Sequence, residues 1–115
     1  MLSLINQALA WWHFNGARNH YHYGRFDLCL QAVEKAEHHL AAQHQPKLCA
    51  YKALCHLHLK YWDNMAAELE QSLFSLRRHI HKDKESYQLW QCLKAHLTDL
   101  RYINRQPGRV QKAVG

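Results

Sequence analysis

Apolar residues recur along this chain at steps of three and four, the spacing of amphipathic helices. A first helix is expected from about Leu2 to about Tyr23, with Ile5, Leu9, Trp12, Gly16 and Ala17 on its apolar or small side. Adjacent helical residues point about 100° apart, so one of Trp11 and Trp12 is expected in the core and the other nearer its edge. Gly24 supplies the left-handed conformation that ends such a helix. Asp27 suits the electropositive start of a second helix, whose stripe is Cys29, Val33, Ala36 and Leu40 and which fades near Gln43. Pro46 fits the first turn of a third helix, running to about Lys60. Its apolar positions, Leu48, Tyr51, Leu54, Cys55, His58 and Leu59, cover more than one face, as a central helix requires. A fourth helix opens around Trp62–Asn64 with the stripe Trp62, Met65, Leu69, Leu73, Leu76 and Ile80. After a polar loop, Asp83 is placed to cap a fifth helix carrying Tyr87, Trp90, Leu93, Leu97, Leu100 and Ile103.

The pattern contains a duplication. His20-Tyr21-His22-Tyr23-Gly24-Arg25-Phe26-Asp27 returns 36 residues later as His56-Leu57-His58-Leu59-Lys60-Tyr61-Trp62-Asp63. Across residues 17–40 and 53–76, six of twenty-four aligned positions are identical, and Phe26/Trp62, Cys29/Met65 and Val33/Leu69 are conservative pairs. A period of this length marks a helical array whose units bury their apolar sides on each other. The fifth helix holds no third copy, so it reads as a cap over the second unit.

The unit resembles the tetratricopeptide repeat. Small residues where two helices cross are matched by Ala17, Cys29 and Ala36 in the first copy and by Ala53 and Ser72 in the second, and Gly24-Arg25-Phe26-Asp27 is similar to the family's turn. Met65 and Lys60 depart from it, standing where a small residue and the turn glycine would be. The resemblance implies an all-α, short right-handed array: two hairpins at about 10–45 and 46–80 and a capping helix at about 84–103, in one domain over 1–104. It further implies a binding scaffold whose inner groove holds a peptide or partner helix. Family groove positions transfer to Phe14, Asn15, Arg18, Ala50, Tyr51 and Leu54. Only Asn15 and Arg18 are polar among these, so an apolar or helical polypeptide is the expected partner. The array is too short for a large scaffold, and an adaptor or secretion-type chaperone is the role the resemblance suggests.

Length and charge refine this picture. At 115 residues one domain is expected. Residues 1–76 carry six Lys/Arg and six Asp/Glu, while 77–115 carry nine and three, so the net +6 lies wholly in the second segment. Arg77, Arg78, Lys94, Arg101 and Arg105 define a basic surface, and residues 105–115 read as a flexible basic tail. Nucleic acid held by charge and stacking is therefore the competing partner. No apolar run reaches the length of a membrane span and no basic leader precedes the first helix, so a cytoplasmic protein is expected. With only two units, the ends of the array call for dimerisation or for stabilisation by the partner.

Eleven histidines and four cysteines raise a metal reading. Residues two apart on a helix point away from each other, so neither His20/His22 nor His56/His58 chelates one ion. Cys55/His58 and Cys92/His96 have helical chelate spacing but supply two ligands each, where zinc takes three or four. Cys29, Cys49, Cys55 and Cys92 lack paired spacing and are expected to be reduced and buried. No phosphate loop, nucleophile arrangement or zincin motif occurs. No metal, cofactor or catalytic residue is assigned.

Overall fold

Among the described residues five helices follow one another in the expected order: α1 (Leu2–His22), α2 (Phe26–Ala36), α3 (Gln45–His58), α4 (Met65–Leu76) and α5 (Lys84–Asn104). The structure, a computed structural model, describes residues 2–40 and 44–104, and no strand occurs among them. The end of the second helix near Gln43, the side chain of Ile103 and the tail from Arg105 lie outside the described residues. Each helix packs on the next, α3 reaches back to α1, and α5 reaches back to α3. Among the described residues α2 and α4 do not touch. The odd-numbered helices, joined through α3, thus form one layer, and α2 and α4 pack on it separately.

The duplication reappears in the burial. Phe14 and Ala50, Ala17 and Ala53, Cys29 and Met65, Val33 and Leu69, Ala36 and Ser72, and Leu40 and Leu76 each stand 36 residues apart, and all twelve are buried. Side chains differ in size within pairs, yet each pair fills the same place in its hairpin. Leu40 stays buried although α2 ends at Ala36, where the Glu37 N–H bonds the Val33 carbonyl.

The first turn of each unit is the same structure. The Arg25 N–H bonds the His20 carbonyl at 2.8 Å and the Gly24 N–H bonds Tyr21 at 3.1 Å. In the second unit Tyr61 bonds His56 at 2.8 Å and Lys60 bonds Leu57 at 3.2 Å. This pair of bonds closes a helix around one left-handed residue. Gly24 adopts φ 75° at no steric cost, whereas Lys60 is forced to φ 63°. Lys60→Gly is expected to stabilise the fold by about 1 kcal/mol and raise Tm by about 4 °C. A melt showing no gain would mean that this turn is not formed as described.

Three expected stripes are corrected. In α1 the core line is Ala10, Phe14 and Ala17, not Ile5, Leu9 and Trp12, which are exposed; Trp11 and Trp12 both face outward, at 38% and 71% exposure. Among the described residues α1 packs on α2 and α3, so the line that faces them becomes the core. In α4, Asn64 turns left-handed (φ 56°) and delays the helix to Met65. Trp62 is thereby left 55% exposed, whereas Phe26, its counterpart, stacks on His58 with ring centroids 4.0 Å apart. In α5 the buried line is Ser86, Leu89, Leu93 and Leu97, and Tyr87 is exposed. Asp83 does cap this helix, accepting from the Ser86 N–H at 2.7 Å.

The cysteines also divide. Cys29 and Cys55 are buried and hydrogen-bond each other across α2 and α3, which together with burial pushes Cys55 up. Cys92 is half-buried. Cys49 is exposed, because Leu48 beside it takes the inward direction.

Candidate functional site

Of the six residues transferred to a groove, four are core. Phe14, Ala50 and Leu54 are fully buried and Tyr51 nearly so. They face inward because α3 is covered on several sides, by α1, α2, α4 and α5. Asn15 and Arg18 alone reach the surface of the odd-numbered layer, and Arg18 is already engaged. Its Nε and Nη2 donate to the two carboxylate oxygens of Glu85, at 2.7 and 2.6 Å, and its Nη1 donates to Asn15 at 2.8 Å. Tyr51 donates to the same carboxylate at 2.6 Å and Lys47 Nζ lies 3.1 Å from it. Lys47 also meets Asp83 at 3.2 Å. One carboxylate from the first turn of α5 therefore ties α1, α3 and α5 together.

The electrostatics follow from that geometry. Burial alone would raise Glu85, but the hydrogen bonds from Arg18 and Tyr51 and the neighbouring cations hold it below the usual glutamate range. Tyr51 is held well above the ordinary tyrosine range by burial and by Glu85. Beside this cluster lies a cleft of about 370 Å³, bordered by Arg18, Tyr21, His22, Glu85, Gln88 and Cys92. Tyr51 and Leu89 complete its lining, so this is a mixed cleft whose charged groups are satisfied by the chain's own residues, not an open apolar groove.

His56 and His58 have local partners. His56 Nδ1 stands 2.7 Å from Glu68, and His58 is stacked on Phe26 and edge-on to His96. Burial and His96 lower His58 below the ordinary histidine range. His20, the counterpart of His56, has Ala32 where Glu68 would be, and its buried Nδ1 has no hydrogen-bond partner. Cys55 turns to Cys29 while His56 turns to Glu68, so these chain neighbours do not face each other.

A second cleft, of about 320 Å³, runs between α4 and α5. Leu73, Phe74, Trp90 and Leu97 make its apolar walls, and Arg77, Lys94 and Arg101 stand on its rim. Three residues of the expected basic surface thus converge on one place. Arg78 is exposed, outside that lining. Arg105 lies outside the described residues. The Arg77 guanidinium lies over the Phe74 ring at 5.0 Å and the Lys94 ammonium over Trp90 at 4.8 Å. Arg101 is paired with Glu70. The sequence reading missed Phe74, which lies off the α4 stripe. An aromatic outside the stripe with an arginine three residues on was the available signal.

Among the described residues no helix is long and apolar enough to cross a membrane. Compared with protein-family models, with curated proteins and with solved structures, the chain matches none of them.

Proposed function

We propose that the chain is a non-catalytic, tetratricopeptide-like adaptor or small chaperone that binds an acidic, amphipathic segment of a partner polypeptide. The α4–α5 cleft carries this reading. An amphipathic helix lays its apolar side into an apolar groove, and carboxylates along its edges would meet Arg77 and Lys94. Phe74, 66% exposed, is the apolar group of this cleft with most to gain from being covered.

The same cations support a second reading, single-stranded nucleic acid. Binding of single strands uses open aromatic faces on which bases stack. Here the rings of Phe74 and Trp90 already carry Arg77 and Lys94, which favours the polypeptide. Titration with a fluorescent helix-forming peptide of alternating Glu and Leu/Phe faces, and with single-stranded RNA, separates the two. The peptide is expected to bind and to lose about tenfold in affinity on Phe74→Ala, the loss of about 1.4 kcal/mol of apolar contact. RNA binding with a steep salt dependence, and no peptide binding, would replace the first reading with the second.

A further inference from the structure

We propose that the exposed stripe of α1 is a dimer interface, on which a second copy of this chain lies antiparallel with the two-fold axis near Leu9. The inference does not depend on what the α4–α5 cleft binds. α1 has 21 residues and α2 has 11. Running back from the turn at Gly24, α2 flanks about 16 Å of a helix about 31 Å long. The remaining half of α1 projects with Leu4 67%, Ile5 55%, Leu9 51% and Trp12 71% exposed.

The second unit shows what this side of the helix is for. Trp12 stands 36 residues before Leu48, which is 1% exposed. Cys55, two helical turns along the same face of α3, touches Cys29 of α2, the hairpin before it. Among the described residues α1 packs only on α2 and α3, and no helix covers its corresponding face, so it presents a packing surface without a packed partner.

Three observations select a second copy as the occupant. Ile5, Leu9, Trp12 and Gly16 step by 4, 3 and 4, which makes a seam that two antiparallel helices share. With the axis at Leu9, each Ile5 meets the other copy's Trp12 and the arrangement is isologous and closed. Residues 1–17 contain no Asp, Glu, Lys or Arg, so copies that each carry +6 elsewhere meet here without like charges. Covering Ile5, Leu9, Trp12 and the residues that flank them removes roughly 500 Å² from each copy, which reaches the total of about 1,000 Å² that a specific interface needs. Beyond Trp12 the seam opens into a cleft of about 490 Å³ with Gly16 on its floor, where an added Cβ would meet nothing, leaving room for the start of the partner's helix.

Light scattering on the 115-residue chain at micromolar concentration tests this. The expected mass is twice 13.7 kDa. Leu9→Glu and Trp12→Glu, each at an exposed position, are expected to give monomers with unchanged helical circular dichroism. Mixing Leu9→Glu with Leu9→Lys is expected to restore the doubled mass, because Leu9 faces its own copy. Phe74→Ala, which alters an exposed apolar group in the α4–α5 cleft, should leave the mass doubled. A monomeric parent chain, a mass indifferent to Leu9→Glu and Trp12→Glu, or loss of the dimer on Phe74→Ala would each overturn the proposal. Failure of the charge-paired mixture would overturn the antiparallel arrangement at Leu9.

Discussion

Phe14→Ala is expected to cost about 4 kcal/mol of folding stability, the scale of a fully buried aromatic lost from a core. Phe14 is 0% exposed, and three groups bear on its ring. Trp11 stacks at 5.8 Å, Tyr51 meets it edge-on at 6.1 Å, and the Arg18 guanidinium lies over it at 3.9 Å. Truncation removes the apolar contact, leaves a cavity between α1 and α3, and strips the support on which Arg18 is laid toward Glu85. Since a domain of this size is stable by only about 5–15 kcal/mol, Tm should fall by about 15 °C. The result also separates two roles for one residue. A groove residue, when truncated, weakens partner binding and leaves the melt unchanged. A core residue moves the melt. A Tm within a degree or two of the parent would return Phe14 to the groove that the family resemblance implies.

The reason the sequence misled at Phe14 is physical. Periodicity reports which residues share a side of a helix, not which side meets the rest of the chain. On α1 two sides are apolar: Ile5, Leu9 and Trp12 on one, Ala10, Phe14 and Ala17 on the other. The first looks richer because its residues are larger, yet the structure buries the second, where alanines let α2 and α3 approach. On α2 only one apolar side exists, and Cys29, Val33 and Ala36 were legible at once. The 36-residue register survived for a related reason. It rests on positions such as Ala17/Ala53 and Val33/Leu69 deep in each hairpin, where packing fixes size and polarity. Trp62 escaped it because one left-handed residue, Asn64, redirects the chain before α4, a backbone choice that side-chain pattern does not encode. The basic surface was legible in part: Arg77, Lys94 and Arg101 do converge. Their convergence on Phe74 and Trp90 depends on how α5 lies against α4.

Glu85→Ala is expected to cost about 3 kcal/mol, the lower end of the cost of removing one partner from a largely buried ion pair. The carboxylate is the shared acceptor of Arg18, Tyr51 and Lys47. Without it Lys47 keeps Asp83 at 3.2 Å and Arg18 keeps Asn15 at 2.8 Å. The Tyr51 hydroxyl, nearly buried, loses its acceptor, and Arg18 loses both arms of its bidentate pair. Arg18 is then left without a counter-charge beside Lys47, whose remaining partner is Asp83. Glu85→Gln retains an acceptor oxygen without the charge, so it should fall between Ala and the parent. Acid provides an independent check. The folded chain holds Glu85 below the usual glutamate range, so the unfolded chain binds its proton more readily. The stability this group contributes is therefore complete above the ordinary glutamate value and drains away as pH falls through the lower, folded one. In the parent, Tm should decline across that window, and part of the decline should vanish in Glu85→Gln, which has no proton to gain. If parent and Glu85→Gln melts run parallel from neutral pH down into that window, the carboxylate is not bonded as described, and α5 is held to α1 and α3 by its apolar line alone.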